Sequence, residues 1–385
     1  MTPTAWPVTG MGAVTSRGEG VPEVFGALCR GESGLAPLRG FAPDRFRAAS
    51  AYEIDDRTAV GPTGERPGRA TDWLCRAVAE ATAAAGLGED LGDVPVLIGT
   101  GLRELRSAEL GWRDGTGVDP ERLHFGTALR ERFGAADTHT FSNACSASLY
   151  ALALAADLLA DEAADTVVVA GVDTITESMF GLLDRVHPEP VDAVRPFDRN
   201  RRGVLMGDGA AAVVLQRPDV AAVPPQARLR GVGINCDAFH VTAPDQEGIA
   251  GAVRTAHDRA GVVPADIDLL MVHGTGTLLN DEAEATALGK VFAGVPTPPV
   301  TTAIKSMTGH TSGGSGLLSL VVAARALATG EVPGTVGLDD PVEEAAWMRF
   351  VRRTTRYPGL RLAQVDAFGF GGVNAVAVIE AGEDR

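Results

Sequence analysis

The sequence predicts an α/β protein whose sheets are covered on both faces. Short apolar runs alternate with Ala- and Leu-rich stretches of helical length, the pattern of strand–helix units. The runs are continuous rather than alternating with polar residues, as expected of strands buried on both sides. Glycine is abundant at 47 residues, and much of it falls where a strand passes into a helix.

In chain order, the predicted strands are Val94–Ile98, Thr138–Ser142, Thr166–Ala170, Ala210–Leu215, Leu269–Val272 and Ala375–Ile379. The predicted helices are Thr71–Ala85, Ser146–Ala160, Ile249–Ala260, Asn280–Phe292 and Gly316–Thr329. Pro62–Arg69 reads as an exposed loop. Pro218–Ala227, with three prolines and little periodicity, reads as the connection between an N-terminal half, residues 1–220, and a C-terminal half, residues 228–385. The halves look alike: a strand leads to Cys145 and a helix in the first, and a strand leads to His273 and a helix in the second. That suggests a duplication.

The chain of 385 residues carries 34 Lys+Arg against 50 Asp+Glu, a net charge of −16, which argues against a nucleic-acid or anionic-membrane binder. The two lysines are Lys290 and Lys305; every other basic residue is arginine. Cys29, Cys75, Cys145 and Cys236 form no CxxC pair, so free thiols in a reducing compartment are expected, with no zinc site and no disulfide framework. No secretory signal and no apolar run of membrane-spanning length is read, so a cytoplasmic location is expected.

Four places carry candidate chemistry. Cys145, in SNACSAS, precedes a helix apolar on nearly every face; amides and dipole at such a terminus favour a thiolate and offer donors to an oxyanion. His273, in VHGTGT, follows a buried strand, where α/β sheets place ligands. Asn280, Asp281 and Glu284 read as cap and acidic first turn of the next helix. Lys305 and His310 lie in a glycine-rich stretch that lacks GxxxxGK[ST], so a phosphate loop is rejected. The last is the Ala367–Asn374 loop, AFGFGGVN, before the final strand. His124, His139, His187, His240 and His257 show no metal-ligand spacing.

Taken together, Cys145, His273, Lys305, His310 and the GFGGVN loop resemble the β-ketoacyl-acyl carrier protein synthases, the elongating ketosynthases of fatty acid and polyketide synthesis. The resemblance spans the chain from Pro7–Gly12 through Arg195–Asp198 and Met206–Ala210 to the last strand. It implies the thiolase fold, two duplicated α/β halves in a five-layer αβαβα arrangement, and a dimer, either a homodimer or a heterodimer with a related subunit. It implies decarboxylative Claisen condensation of an acyl thioester on Cys145 with malonyl-acyl carrier protein. His273 and His310 would stabilise the enolate and Lys305 would support them. The Cys145 and Phe370 amides would form the oxyanion hole, with Phe370 gating, and Thr275 and Thr277 would hold the pantetheine arm. No metal or cofactor is implied. The carrier protein would dock on local positive charge, with Arg195, Arg199, Arg201, Arg202, Arg130 and Arg132 as candidates.

The sequence departs from the family where Ser319 stands in the place of a glutamate, and where Thr174–Val194, the acyl-pocket segment, is compact. These departures keep open a ketosynthase-fold enzyme repurposed for another acyl transfer or cyclisation. A non-condensing chain-length partner would lack the nucleophile that Cys145 supplies.

Overall fold

The computed structural model describes residues 5–57 and 64–382. The first half supplies β1 (Trp6–Thr15), α1 (Arg69–Ala84), β2 (Val96–Gly99), β3 (Thr138–Phe141), α2 (Ala147–Ala160), β4 (Thr166–Asp173) and β5 (Gly209–Gln216). The second supplies β6 (Ala227–Cys236), α3 (Gln246–Ala260), β7 (Leu269–Met271), α4 (Leu278–Val291), β8 (Val300–Thr302), α5 (Ser315–Thr329), β9 (Leu362–Gly369) and β10 (Val373–Ala381). Both halves arrange their strands in one order, β1-β5-β4-β2-β3 and β6-β10-β9-β7-β8. The directions match as well. In each half the first strand is antiparallel to the fifth and the fifth to the fourth, while the fourth and third lie parallel to the second. The half-sheets join where Trp6, Pro7 and Val8 of β1 pair with Leu229, Arg228 and Ala227 of β6.

Helices complete five layers. α1 covers the outer face of the first half-sheet, α2 and α5 lie between the half-sheets, and α3 and α4 cover the second. Both faces of each strand are therefore used. In β5, Ala211, Val213 and Leu215 enter the central core while Ala210, Ala212 and Val214 face α1. The middle layer explains why the sequences of α2 and α5 are apolar nearly all round. Leu149, Leu152, Leu317 and Leu320 are fully buried there. Truncating one of them to Ala is expected to cost about 2–5 kcal/mol.

Several expectations are corrected. The duplication is real in topology but its register differs: Cys145 follows the third strand of its half, whereas His273 follows the second strand of the other. The true counterpart of the β3–Cys145–α2 crossover is β8–Lys305–His310–α5. Ala227 opens β6 instead of ending the connection. In the expected exposed loop, residues 62 and 63 lie outside the described residues, and the rest is not a free loop. Glu65 accepts from the Arg69 and Arg106 guanidiniums, and Arg69 is buried at the start of α1. One stretch, Ser312–Thr329, is long and apolar enough to cross a membrane by composition; 83% of it is buried in the middle layer.

Candidate active site

β3 delivers the chain into a single turn, Ala144–Ser146, that opens α2. Ala144 adopts φ +57, a left-handed conformation uncommon for a residue with a Cβ, and Cys145 stands next to it, half-buried. The backbone N–H groups of Phe370 and of Cys145 itself reach the thiol. Burial pushes the thiol up to about 11, opposed by the Lys305 ammonium and these two amides and reinforced by Asp173. The direction is opposite to the expected depression: burial outweighs the Lys305 charge and the two amides. Two other thiols, Cys29 and Cys75, are pushed equally high by burial, so geometry alone sets Cys145 apart.

That geometry is a cluster. The Cys145 Sγ and a ring nitrogen of each of His273 and His310 all lie within 4.8 Å of one another. The two imidazoles meet edge to face, centroids 5.3 Å apart. Burial and the Lys305 charge hold both well below the ordinary histidine range, so both are neutral at pH 7. Both ring nitrogens of His310 are buried without a partner, leaving an N–H free for an incoming oxygen. The backbone of His310 is fixed by bonds to Leu205 and Gly207. The preceding Gly309, at φ +68, tolerates no side chain, because a Cβ there would sit 2.6 Å from the Tyr52 ring.

Lys305 opens a short helix and is buried, not the surface lysine of a flexible loop. Its ammonium donates to the His273 carbonyl and lies 3.4 Å from His273 Nδ1. Desolvation lowers its pKa, and Glu284, Cys145, Asp281 and Asp366 oppose that. The cap assigned to α4 is corrected: Thr277 caps it, accepting from the Asn280 amide. Asp281 and Glu284 are fully buried one turn apart. Glu284 accepts from the His273 and Gly274 amides at 2.6 and 2.9 Å, which fixes the turn after β7. Asp281 accepts from the Gly276 and Phe197 amides.

A cavity of about 610 Å³ opens onto the cluster. That is within the usual range of small-molecule sites. Its walls join both halves: Met179, Leu183 and Val186 from the first, Leu278 and Phe368 from the second. The Thr275 and Thr277 hydroxyls, 2.9 Å apart, line it, as does Phe370, which is 43% exposed on the loop that leads into β10.

Comparison with known proteins decides the family. The β-ketoacyl synthase N-terminal domain matches residues 7–221 and the β-ketoacyl synthase C-terminal domain matches residues 226–339. The chain belongs to the β-ketoacyl synthase family. It is 32% identical to a putative polyketide β-ketoacyl synthase 1 of Streptomyces cyaneus and 27% identical to 3-oxoacyl-[acyl-carrier-protein] synthase 2 of Coxiella burnetii, with 97% of both chains covered each time. The solved ishigamide ketosynthase/chain length factor superposes with a TM-score of 0.87 at 30% identity, over 98% of this chain and 99% of that one.

In this synthase the arginines do not form the free patch expected for docking. Arg201 is buried, donating to the Thr277 and Leu278 carbonyls and to Glu282. Arg195 pairs with Asp192, Arg199 with Asp340 and Arg202 with Glu189. Of the six, only Arg202 lines the cavity; Arg130 and Arg132 are exposed on the helix Phe125–Phe133. His187 proves to be a wall of the cavity whose Nε2 accepts from the Val204 amide. Nothing in its sequence neighbourhood marks it. The positioning roles of Glu284 and Asp281 were hidden because an acidic residue early in a helix reads as a cap.

Proposed function

We propose that the synthase is a discrete condensing enzyme that joins an acyl thioester held on Cys145 to malonyl-acyl carrier protein, giving a β-ketoacyl-acyl carrier protein. The observation that carries this reading is the thiol with two neutral imidazoles, within 4.8 Å of one another, at an apolar cavity. The Cys145 sulfur attacks the carrier-bound acyl thioester, the thiol proton passes to the departing pantetheine sulfur, and the acyl group stays on the enzyme. The intermediate's oxyanion faces the Cys145 and Phe370 amides. The malonyl group then loses carbon dioxide. The electron pair of the broken C–C bond forms an enolate whose oxygen accepts hydrogen bonds from His273 and His310. Neutral imidazoles suit this step, since each keeps an N–H to give. The enolate carbon attacks the Cys145 thioester and expels the sulfur. Lys305 fixes the His273 ring and supplies the nearby positive charge. Thr275 and Thr277 would hold the pantetheine arm.

Relatives named as acyl-carrier-protein-dependent synthases, and a structural neighbour solved with its acyl-carrier protein, support a carrier protein as the partner. Neighbours solved as ketosynthase/chain length factor pairs support a dimer, with a related subunit as one candidate mate. We place the first half at 1–220, the second from Ala227, where β6 opens, to residue 385, and the enzyme in the cytoplasm. The test is intact-mass analysis with acyl- and malonyl-carrier proteins. A mass gain equal to the acyl group on the enzyme, followed by release of carbon dioxide and a β-ketoacyl-carrier product, is expected. An acylated enzyme that transfers its group without releasing carbon dioxide would point instead to a repurposed acyltransferase.

A further inference from the structure

The geometry points to His187 as a specificity-determining residue: its Nδ1–H is the donor in the cavity wall for an oxygen carried on the substrate chain, so the synthase selects chains bearing a carbonyl or hydroxyl over saturated ones. The inference deepens the functional reading above and rests on it, in that the cavity is taken to hold the acyl chain. The first half makes its part of that wall apolar with Leu102, Met179, Leu183, Val204 and Met206. Beside the Cys145 thiol, its one buried polar side chain there is His187, 8% exposed; Arg202 on the same wall is exposed and paired with Glu189. His187 follows the helix Glu177–Val186 as its C-terminal cap and donates its backbone N–H to the Leu183 carbonyl. Its own carbonyl accepts from the Arg47 guanidinium at 2.8 Å. One face of the ring lies on Gly203, at φ +150, where a Cβ would stand 2.6 Å from ring atoms. The ring is thus fixed from three sides.

The two ring nitrogens have different duties. Nε2 accepts from the Val204 amide at 3.2 Å, so it carries no proton. Burial lowers the pKa of the ring below the ordinary histidine value, so the ring is neutral at pH 7. Its one N–H is therefore at Nδ1. No described residue makes a hydrogen bond to Nδ1, and this nitrogen is not sealed from solvent. The ring borders two spaces. One is a void of about 10 Å³ beside Phe180, Leu183 and Val191, barely room for one water. The other is the cavity of about 610 Å³, the space large enough to bring Nδ1 a partner from a ligand. A chain that fills the cavity displaces water from such a donor. A methylene group at that point leaves the donor unpaired in an apolar wall, whereas a carbonyl or hydroxyl oxygen accepts from it. The wall therefore discriminates by the oxygen a chain carries and not by its length alone.

Equilibrium binding separates this role from every step of catalysis. The probes are the pantetheine amide of octanoic acid and the amides of its oxo isomers, in which nitrogen replaces the thioester sulfur so that Cys145 takes no acyl group from them. One oxo isomer is expected to bind the parent about five-fold more tightly than the saturated amide, the scale of one hydrogen bond between neutral groups. His187→Leu should remove that preference. His187→Asn, whose amide stands at the Nδ1 position, should keep part of it. If His187→Leu does not fold because the Val204 amide loses its acceptor, His187→Gln keeps that bond with its own oxygen, vacates Nδ1 and should lose the preference likewise. A parent that binds no oxo isomer more tightly than the saturated amide overturns the proposal, and so does a folded Leu or Gln variant that retains the preference. A preference lost with His187, in a protein whose Cys145 takes no acyl group from the matching thioesters, would keep His187 in its role and sink the condensing reading instead.

Discussion

The two halves run the same crossover, from their third strand to a helix of the middle layer, and equip it differently. In the first half the chain needs residues 142–146 to pass from β3 into α2; in the second it spends residues 303–314 between β8 and α5. The short crossover leaves no room for long side chains, and what it offers is the backbone: a helix terminus, a left-handed Ala144 and a thiol under two amides. The long crossover folds a turn of helix, Lys305–Thr308, and a glycine bend. It offers side chains, one ammonium and one neutral imidazole. Asp173, at the end of β4, ties the long crossover to the segment that follows β2, accepting from the Gly313 amide on one side and from the Thr100 hydroxyl and the Gly101 and Leu102 amides on the other. The duplicated topology thus supplies two equivalent corners of different length, the short one carrying a thiol and the long one an ammonium and an imidazole.

The sharpest break of this division is Cys145→Ala. It should abolish acylation and lower condensation by about 10⁶-fold, the scale of losing a covalent nucleophile. Intact mass and product release would check this. Because burial pushes the thiol up, a small alkylating reagent at neutral pH should favour the exposed Cys236, while an acyl-like electrophile that fills the cavity should mark Cys145. Peptide mapping after both reagents separates the cases, and acyl-like labelling at Cys236 would remove Cys145 from its place.

Removing the imidazole of the other corner, or the His273 imidazole that meets it, should act on one half-reaction only. His310→Ala and His273→Ala are expected to lower carbon dioxide release by about 10²–10³-fold while Cys145 still takes up an acyl group. Equal loss of acylation in both variants would show that the corners share their work. The pH profile carries the same test. Burial lowers both histidine pKa values, so the neutral form persists as pH falls through the ordinary histidine range near 6.5. Carbon dioxide release should therefore change less than about two-fold between pH 7.5 and 6.5, whereas an acid limb at 6.5 would mean solvated imidazoles.

Much of this contrast was legible in the sequence, and the illegible part has physical causes. α2 and α5 are apolar nearly all round, so their burial, and the junctions that carry Cys145 and His310, could be read directly. β9 could not, because Gln364 and Asp366 interrupt its apolar run to face a buried polar line. β6 could not either: its arginines and glycines dilute the pattern, and its first residue, Ala227, looked like linker. The pairing of Cys145 with His273 as equivalent positions failed for another reason. Strand–turn–helix signals repeat at every crossover of such a fold, and only strand order says which repeats correspond.

Docking tests the rim that both halves share. With most of the candidate arginines paired or buried, charge reversal should matter modestly. Arg202→Glu, at the cavity edge, is expected to raise the Michaelis constant for carrier-bound substrate about five-fold, the scale of one exposed ion pair of about 1 kcal/mol. A small thioester mimic should be unaffected. Arg201→Glu should damage both substrates alike, because it buries an unpaired charge beside Asp281.

The smallest expected effect concerns the long corner's first turns of helix. Ser319, 2% exposed in α5, brings no carboxylate where the resemblance implies a glutamate. An ion at this corner would have to rely on oxygens already committed to amides, with Asp366 Oδ2 the exception. Since Lys305 already buries a positive charge on this crossover, a metal cation would add a second one beside an ammonium fixed in place. Carbon dioxide release in sodium, potassium and a large organic cation should therefore agree within about two-fold. A several-fold preference for one small cation, lost in Asp366→Asn, would show that the second crossover holds an ion as well as an ammonium. The two corners would then differ by a bound charge and not by side chains alone.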